Sequence, residues 1–302
     1  MLFKNSTLFT KLLSIQFVKV SFLLLILLTA IFFGCSQNEG IEDSSHSVID
    51  TKSFDYIGIQ HNQELEYVYA KLKEAKNTNK SALLLSSKSN AIDLISKIVT
   101  DRIKSQGFSQ EEKNIALSVM DSHSKVLKTG KISYTSSSKN ASKIYDEYSS
   151  SLTSNQKEVL DDLQKLLGDR KATLNQTLEG IIELEKSASS RLSEKELFVI
   201  YCATSVAKAT SKYWHTNFTK WKMLKSNKLL NTNTFKTSSV EEDLAYGWRD
   251  VLGDDVAGAI GGAVGAAVVN IAPGAGQVAY GSAIVAGALG NSATGIVKSM
   301  FA

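Results

Sequence analysis

Apolar residues recur at helical spacing along most of the chain. Leu65, Tyr69, Leu72 and Ala75 share one face of a helix predicted over about 60–77, and Ile92, Ile95, Val99 and Ile103 do the same over about 89–105. Ser109 with Glu112 has the spacing of a capping box, opening a helix over about 110–127 whose stripe is Ile115, Val119 and Val126. Residues 128–150 are rich in Ser, Thr, Asn and Lys and read as a long loop with a short helix near Lys143–Tyr148. Thr153, with Gln156 three residues on, opens a stripe of Val159, Leu160, Leu163, Leu166 and Leu167 that ends at Gly168. Leu174, Leu178 and Ile181 continue it over about 170–188, and Ser193 with Glu196 opens the next helix. That helix begins Leu197-Phe198-Val199-Ile200-Tyr201-Cys202-Ala203, apolar around its whole circumference, which places it at the centre of a bundle.

The last fifty residues break this pattern. Between Gly253 and Ala302 the chain places 11 of its 19 glycines, 13 alanines and only three charged residues, Asp254, Asp255 and Lys298. Two Gly/Ala/Val segments, 254–271 and 276–299, are divided by Pro273-Gly274, a turn dipeptide that contains the single proline of the chain. As helices they measure about 27 Å and about 36 Å. Gly258 with Gly262, and Gly261 with Gly265, are GxxxG pairs; Ala279, Ala283 and Gly287, and Ala286 with Gly290, carry small-xxx-small spacing into the second segment. Glycine costs a helix interior about 1 kcal/mol relative to alanine, so many of them make sense where close packing or a membrane compensates. Asp254 and Asp255 read as the charges of a helix N-terminus and Lys298 as that of a C-terminus. The hairpin has two equally weighted placements: buried against its own domain, or inserted into a membrane or partner.

The pattern therefore predicts an all-α fold, a helical bundle domain over 59–250 followed by a Gly/Ala-rich helical hairpin over 251–302. Average usage of about 5% would give roughly fifteen prolines; one proline in 302 residues argues against a turn-rich β fold. With 43% apolar and 21% charged residues the chain can bury a core, which excludes disorder as its dominant state.

The N-terminus reads as an export segment. Lys4, Lys11 and Lys19 precede an apolar run from Phe22 to Phe33, then Gly34, Cys35 and a polar stretch. This resembles the signal peptides of bacterial lipoproteins, in which a cysteine after a lipobox is diacylated and becomes the mature N-terminus. The usual box is Leu, a small residue, Gly or Ala, then Cys; here Phe32-Phe33-Gly34-Cys35 matches strictly only at its last two positions. Bulky residues before the glycine resemble the lipoproteins of Bacteroidota-type bacteria. The resemblance implies a signal peptide at 1–34, lipidation at Cys35, a flexible tether over 35–58 and a place in the cell envelope, at the outer membrane. An uncleaved anchor helix is the competing reading, but fifteen apolar or small residues before Cys35 fall short of the about 20 that a span needs. Cys202 is the only other thiol, so the lipidated chain has no intramolecular disulfide. The tail in turn resembles the glycine-zipper segments of exported bacterial proteins and of membrane-active peptides such as bacteriocins.

Charge narrows the partners. The formal +4 includes three signal-segment lysines; from residue 35 onward there are 31 basic and 30 acidic residues, so nothing global argues for nucleic acid. Leu197–Val240 carries seven lysines and no acid. Within it Trp214, Phe218 and Trp221 fall at i, i+4, i+7, beside Lys212, Lys220, Lys222 and Lys225. A Trp/Phe stripe edged by lysines suits contact with a membrane or a partner; packing of the same stripe under the bundle is the slightly stronger reading.

Catalytic signatures are missing. The four histidines (His46, His61, His123 and His215) form no i,i+4 pair, and the chain has no C-x-x-C, G-x-S-x-G or phosphate loop. His123 shares a face with Ala116, Met120 and Leu127, as a structural histidine would, and Asp161, Asp162, Glu183 and Glu185 read as solvated helix faces. No cofactor and no metal is expected. The sequence thus leads to a lipid-anchored, non-enzymatic envelope protein whose hairpin packs with itself, a partner or the membrane. The alternative is a bacteriocin- or toxin-like effector whose hairpin inserts into bilayers.

Overall fold

A computed structural model describes residues 51–77, 87–107, 144–224 and 247–268, with single residues and short groups between 110 and 121 and between 281 and 295. All of them belong to one compact unit, Val48–Ala302. Among the described residues every regular element is helical, so the fold is all-α.

A 3₁₀ turn, Thr51–Phe54, leads directly into α1, Asp55–Lys76. The expected tether over 35–58 therefore stops short of residue 58: Phe54 and Ile57 are buried, and Phe54 packs edge-on against Phe198 and Tyr201, which draws this stretch into the bundle. Next comes α2, Lys88–Ser105, capped by Ser87, whose hydroxyl accepts from the amide of Asn90. Its predicted stripe of Ile92, Ile95, Val99 and Ile103 is buried. Arg102 clamps α2 to α1 by reaching both carboxylate oxygens of Glu64, at 2.6 and 2.8 Å. The described residues of 110–121 are helical as expected; Ser109 and Glu112 lie outside the described residues.

A second 3₁₀ turn, Asp146–Ser151, precedes α3, Ser154–Gly168, α4, Leu174–Ser189, and α5, Glu194–Lys222. All three α-helices open with a capping box: Thr153 with Gln156, Thr173 with Gln176, and Ser193 with Glu196. Along α4 the buried face is Thr177, Ile181, Glu185 and Ala188, turned slightly from the predicted stripe, so Leu174 and Leu178 are only half-buried. Glu185 is thereby not a solvated carboxylate. It is buried, receives the Thr204 hydroxyl at 2.6 Å and pairs with Lys208 at 3.0 Å.

The 29-residue α5 is the axis of the bundle, packing against α1, α3, α4 and the tail helix α6, Trp248–Val268. At the α1–α5 crossing a Cβ on Gly58 would stand 2.6 Å from Ala209 Cβ and closer still to the Ser205 carbonyl oxygen, so only glycine allows this approach. The expected boundary at 250/251 does not hold: α6 starts before it, and the tail belongs to the same compact unit as the bundle. The described residues of the second tail segment, from Gly281 to Gly295, are helical and buried. Pro273 and Gly274 lie outside the described residues.

Candidate functional site

The tail helix is held from its first turn. Asp250 reaches back to accept the amide of Gly247 at 2.5 Å and pairs with Arg170 at 3.3 Å. Arg249 donates to the carbonyl oxygens of Leu167, at 3.2 Å, and Ala172, at 2.5 Å. These contacts fasten the start of α6 to the α3–α4 connection. Desolvation raises the Asp250 carboxyl above its ordinary value, partly offset by the Gly247 amide and Arg170.

Because α6 begins at Trp248, Asp254 and Asp255 lie well inside it, not at the helix N-terminus that the sequence suggested. Every residue from Asp250 to Val264 is buried. Small residues make this possible. A Cβ on Gly258 would meet the Gly287 carbonyl oxygen and stand 2.7 Å from Ala288 Cα, so α6 and the second tail segment touch backbone to backbone. A Cβ on Gly261 would run into the phenol of Tyr148, and one on Gly281 would come within 2.7 Å of the Tyr56 ring. Gly262 and Gly287 are buried and Gly265 half-buried; Gly290 lies outside the described residues. Of the two placements left open by the sequence, the described positions of this ridge take the first and face their own domain.

The aromatic stripe turns inward too, along the stronger of its two sequence readings, which corrects its alternative assignment to a contact surface. Trp214 and Trp221 have 0% exposure and Phe218 has 8%, so packing under the bundle prevails over membrane or partner contact. The Trp214 and Trp221 ring centroids lie 5.6 Å apart, and Tyr69 of α1 meets Trp221 edge-on at 5.1 Å. The Trp221 indole donates to the Tyr213 hydroxyl at 2.9 Å, and burial is the main cause that pushes that phenol far up. Lys220 pairs with Glu66 at 2.6 Å and lies over the Tyr69 ring, Lys222 lies over the Phe218 ring, and Lys212 is exposed. Lys225 and Cys35 lie outside the described residues.

Trp214 also leads to a cluster that sequence reading did not assemble. Its indole Nε1 donates to Asp255 Oδ2 at 2.6 Å. The other carboxylate oxygen, Oδ1, is in short contact with the hydroxyl of Ser292 from the second tail segment. Ser292 Oγ lies 3.0 Å from His61 Nε2 of α1 and 2.8 Å from the Ala288 carbonyl oxygen. On its far side, His61 Nδ1 faces Asn62 Oδ1 at 3.4 Å, while the Asn62 amide donates to the Ala209 carbonyl of α5 at 3.0 Å. His61, Asp255 and Ser292 are all fully buried. Desolvation dominates both titrations: it lowers the imidazole to about 4 and raises the Asp255 carboxyl well above the usual carboxylate range. Two further buried polar atoms, Ser211 Oγ and Asn291 Nδ2, make no hydrogen bond among the described residues.

A serine, a histidine and an aspartate in contact invite comparison with a nucleophilic triad, but the order differs. In a triad the histidine stands between the serine and the acid; here Ser292 stands between Asp255 and His61 and is sealed from solvent. What this geometry can do is hold and redistribute a proton while joining α1, α5, α6 and the second tail segment. The one sequence hint was a pair of acids inside an apolar Gly/Ala helix; the pairing with His61 spans 194 positions of chain and has no local signal.

Among the described residues, no group of three or more His, Cys, Asp or Glu could hold a metal ion, and no helix is long and apolar enough to cross a membrane. No family model, no curated protein and no solved structure matches this chain.

Proposed function

We propose that the chain is a lipid-anchored extracytoplasmic protein of the cell envelope, held at the outer membrane through Cys35, with a non-enzymatic binding or structural role. The described tail residues line the inside of the folded domain. The basic and apolar segment that ends at Gly34-Cys35 carries the anchor; the burial of α6 from Asp250 to Val264 supports only the inward placement of that helix. Cys35→Ser tests the anchor. The expected outcome is a larger, unprocessed precursor that carries no lipid; processing and acylation like those of the wild type would remove the anchor from the proposal.

A second reading is a membrane-active effector that keeps an apolar hairpin covered until it reaches a bilayer. The sequestration of α6 beneath α5, with α3 alongside, favours it. Dye release from anionic vesicles by the full chain, and none by a chain lacking 254–302, is its expected signature. Vesicles that stay sealed at every protein concentration exclude it.

A further inference from the structure

We propose that Asp255, Ser292 and His61 form a one-proton latch: with a single proton shared between Asp255 and His61 the cluster is neutral and its hydrogen bonds are complete, and loss of that proton at alkaline pH loosens the tail from the bundle. The inference does not rest on the anchor or on either functional reading.

Counting donors and acceptors leads there. With Asp255 ionised, the Ser292 hydroxyl donates to Oδ1 across the short contact; protonation of Asp255 at Oδ1 reverses it, Oδ1 donating to Ser292 Oγ, while Oδ2 accepts from Trp214 in both states. Ser292 then gives its own hydrogen to His61 Nε2 or to the Ala288 carbonyl oxygen. The neutral ring keeps its hydrogen on Nδ1, toward Asn62 Oδ1, an acceptor fixed in that orientation because the amide nitrogen of Asn62 is engaged by Ala209. The alternative distribution, carboxylate and imidazolium, also holds one proton, and the carbonyl of Ala288 and Asn62 Oδ1 favour it; burial of both groups favours the uncharged pair. Without the proton, Ser292 has one hydrogen for three acceptors, Asp255 Oδ1, His61 Nε2 and the Ala288 carbonyl oxygen, and a bare carboxylate sits in the core beside Asp254. With a second proton, an imidazolium is buried.

The surrounding charges do not rescue either state. Asp254 on α6 raises the Asp255 carboxyl further. From α5 comes Tyr213, whose phenol Asp255 itself pushes up. From the second 3₁₀ turn Tyr148 packs at Gly261, and beside the α3–α4 connection Arg170 is engaged with Asp250.

The sign follows from comparing folded and unfolded chains. Unfolded, Asp255 titrates near the ordinary aspartate value of 3.8 and His61 near 6.5. Folded, His61 titrates at about 4 and Asp255 well above the carboxylate range. Between about pH 4 and 6.5 each state of the chain holds one proton, on Asp255 when folded and on His61 when unfolded, so the cluster makes no slope. Above about pH 6.5 the unfolded chain has lost its proton and the folded chain keeps it. The cluster then raises the unfolding constant by up to about tenfold per pH unit until Asp255 ionises.

The test compares wild type with Asp255→Asn, which reproduces the protonated acid: an amide nitrogen facing Ser292 and an oxygen facing Trp214. Denaturant unfolding of the full chain is followed at about pH 5.5, 7 and 8.5. The resistance of D255N relative to wild type is expected to grow with pH by up to about tenfold per pH unit, and by at least tenfold in unfolding constant between the lowest and the highest pH. An unchanged alkaline slope, or an equal loss at all three pH values, overturns the latch. Two measurements on wild type stand even if D255N does not fold. The infrared band of a buried, protonated carboxylic acid is expected at neutral pH and is to fade as pH rises; its absence at neutral pH contradicts the proposal. Amide exchange, corrected for intrinsic rate, is expected to accelerate on alkalinisation in 251–268 and 281–295 more than in α3 and α4; equal acceleration in all of them contradicts a latch on the tail.

Discussion

Gly180 and Gly258 both lie within helices, where replacing glycine by alanine gains about 1 kcal/mol of propensity, yet the two substitutions should move stability in opposite directions. A methyl on Gly180 meets only the tip of the half-buried Leu166 side chain, which can turn aside. Gly180→Ala is expected to leave the melting temperature level or raise it by a few degrees. A methyl on Gly258 meets the backbone of Gly287 and Ala288, which has no such freedom. Gly258→Ala should therefore cost about 2 kcal/mol net, a fall of roughly 4–8 °C in Tm by calorimetry. A rise in Tm for Gly258→Ala would mean that the two tail segments do not touch there. Cys202 supplies a second test at this scale. It is fully buried, and desolvation pushes its thiol well up, so thiolate is scarce and access is closed. It should resist alkylation in the native protein at mildly alkaline pH and react at once in denaturant.

Helix starts were the most legible elements, because a capping box is written in four consecutive residues. The boxes at Thr153 and Ser193 form as expected, and the structure adds that they are joined: Thr153 donates to Glu196 at 2.7 Å, and the Gln156 amide donates to the Glu196 carbonyl at 3.0 Å. Ser193→Ala should cost about 1 kcal/mol, read from denaturant unfolding, and should perturb the start of α3 as well as α5. The Glu196 carboxyl is held below its ordinary value, first by the Ser193 amide and then by the Ser193 and Thr153 hydroxyls. A lowered acid contributes stability above its unfolded value near 4.5, and that contribution is lost as pH falls through the folded one. Glu196→Gln should thus flatten the acid limb of the stability profile, leaving the alkaline limb unchanged. Faces were less legible than starts. The stripe of α4 was placed about one position off, since an apolar count could not anticipate that Glu185 would be buried by its bonds to Thr204 and Lys208.

At the scale of the molecule, the tail decides what the domain is. The described tail residues line the core with Trp214, Trp221 and the α5 helix, so a chain ending at residue 253 should lose cooperative unfolding and expose tryptophan to solvent. A truncated chain that melts as sharply as the intact one would show that the bundle stands without its tail. The sequence by itself determined the helical class, most helix positions, the buried centre at Leu197–Ala203 and the close-packing character of the Gly/Ala segments. These are properties of local spacing, of periodicity and of side-chain size, all carried by neighbours in the chain. Which surface the small residues meet, whether the Trp stripe looks inward, and that His61, Asp255 and Ser292 come together depend on contacts across up to 231 positions of sequence separation. Such contacts exist only once the helices are packed, because the burial that gives a buried aspartate or histidine its proton affinity is a property of the assembled core.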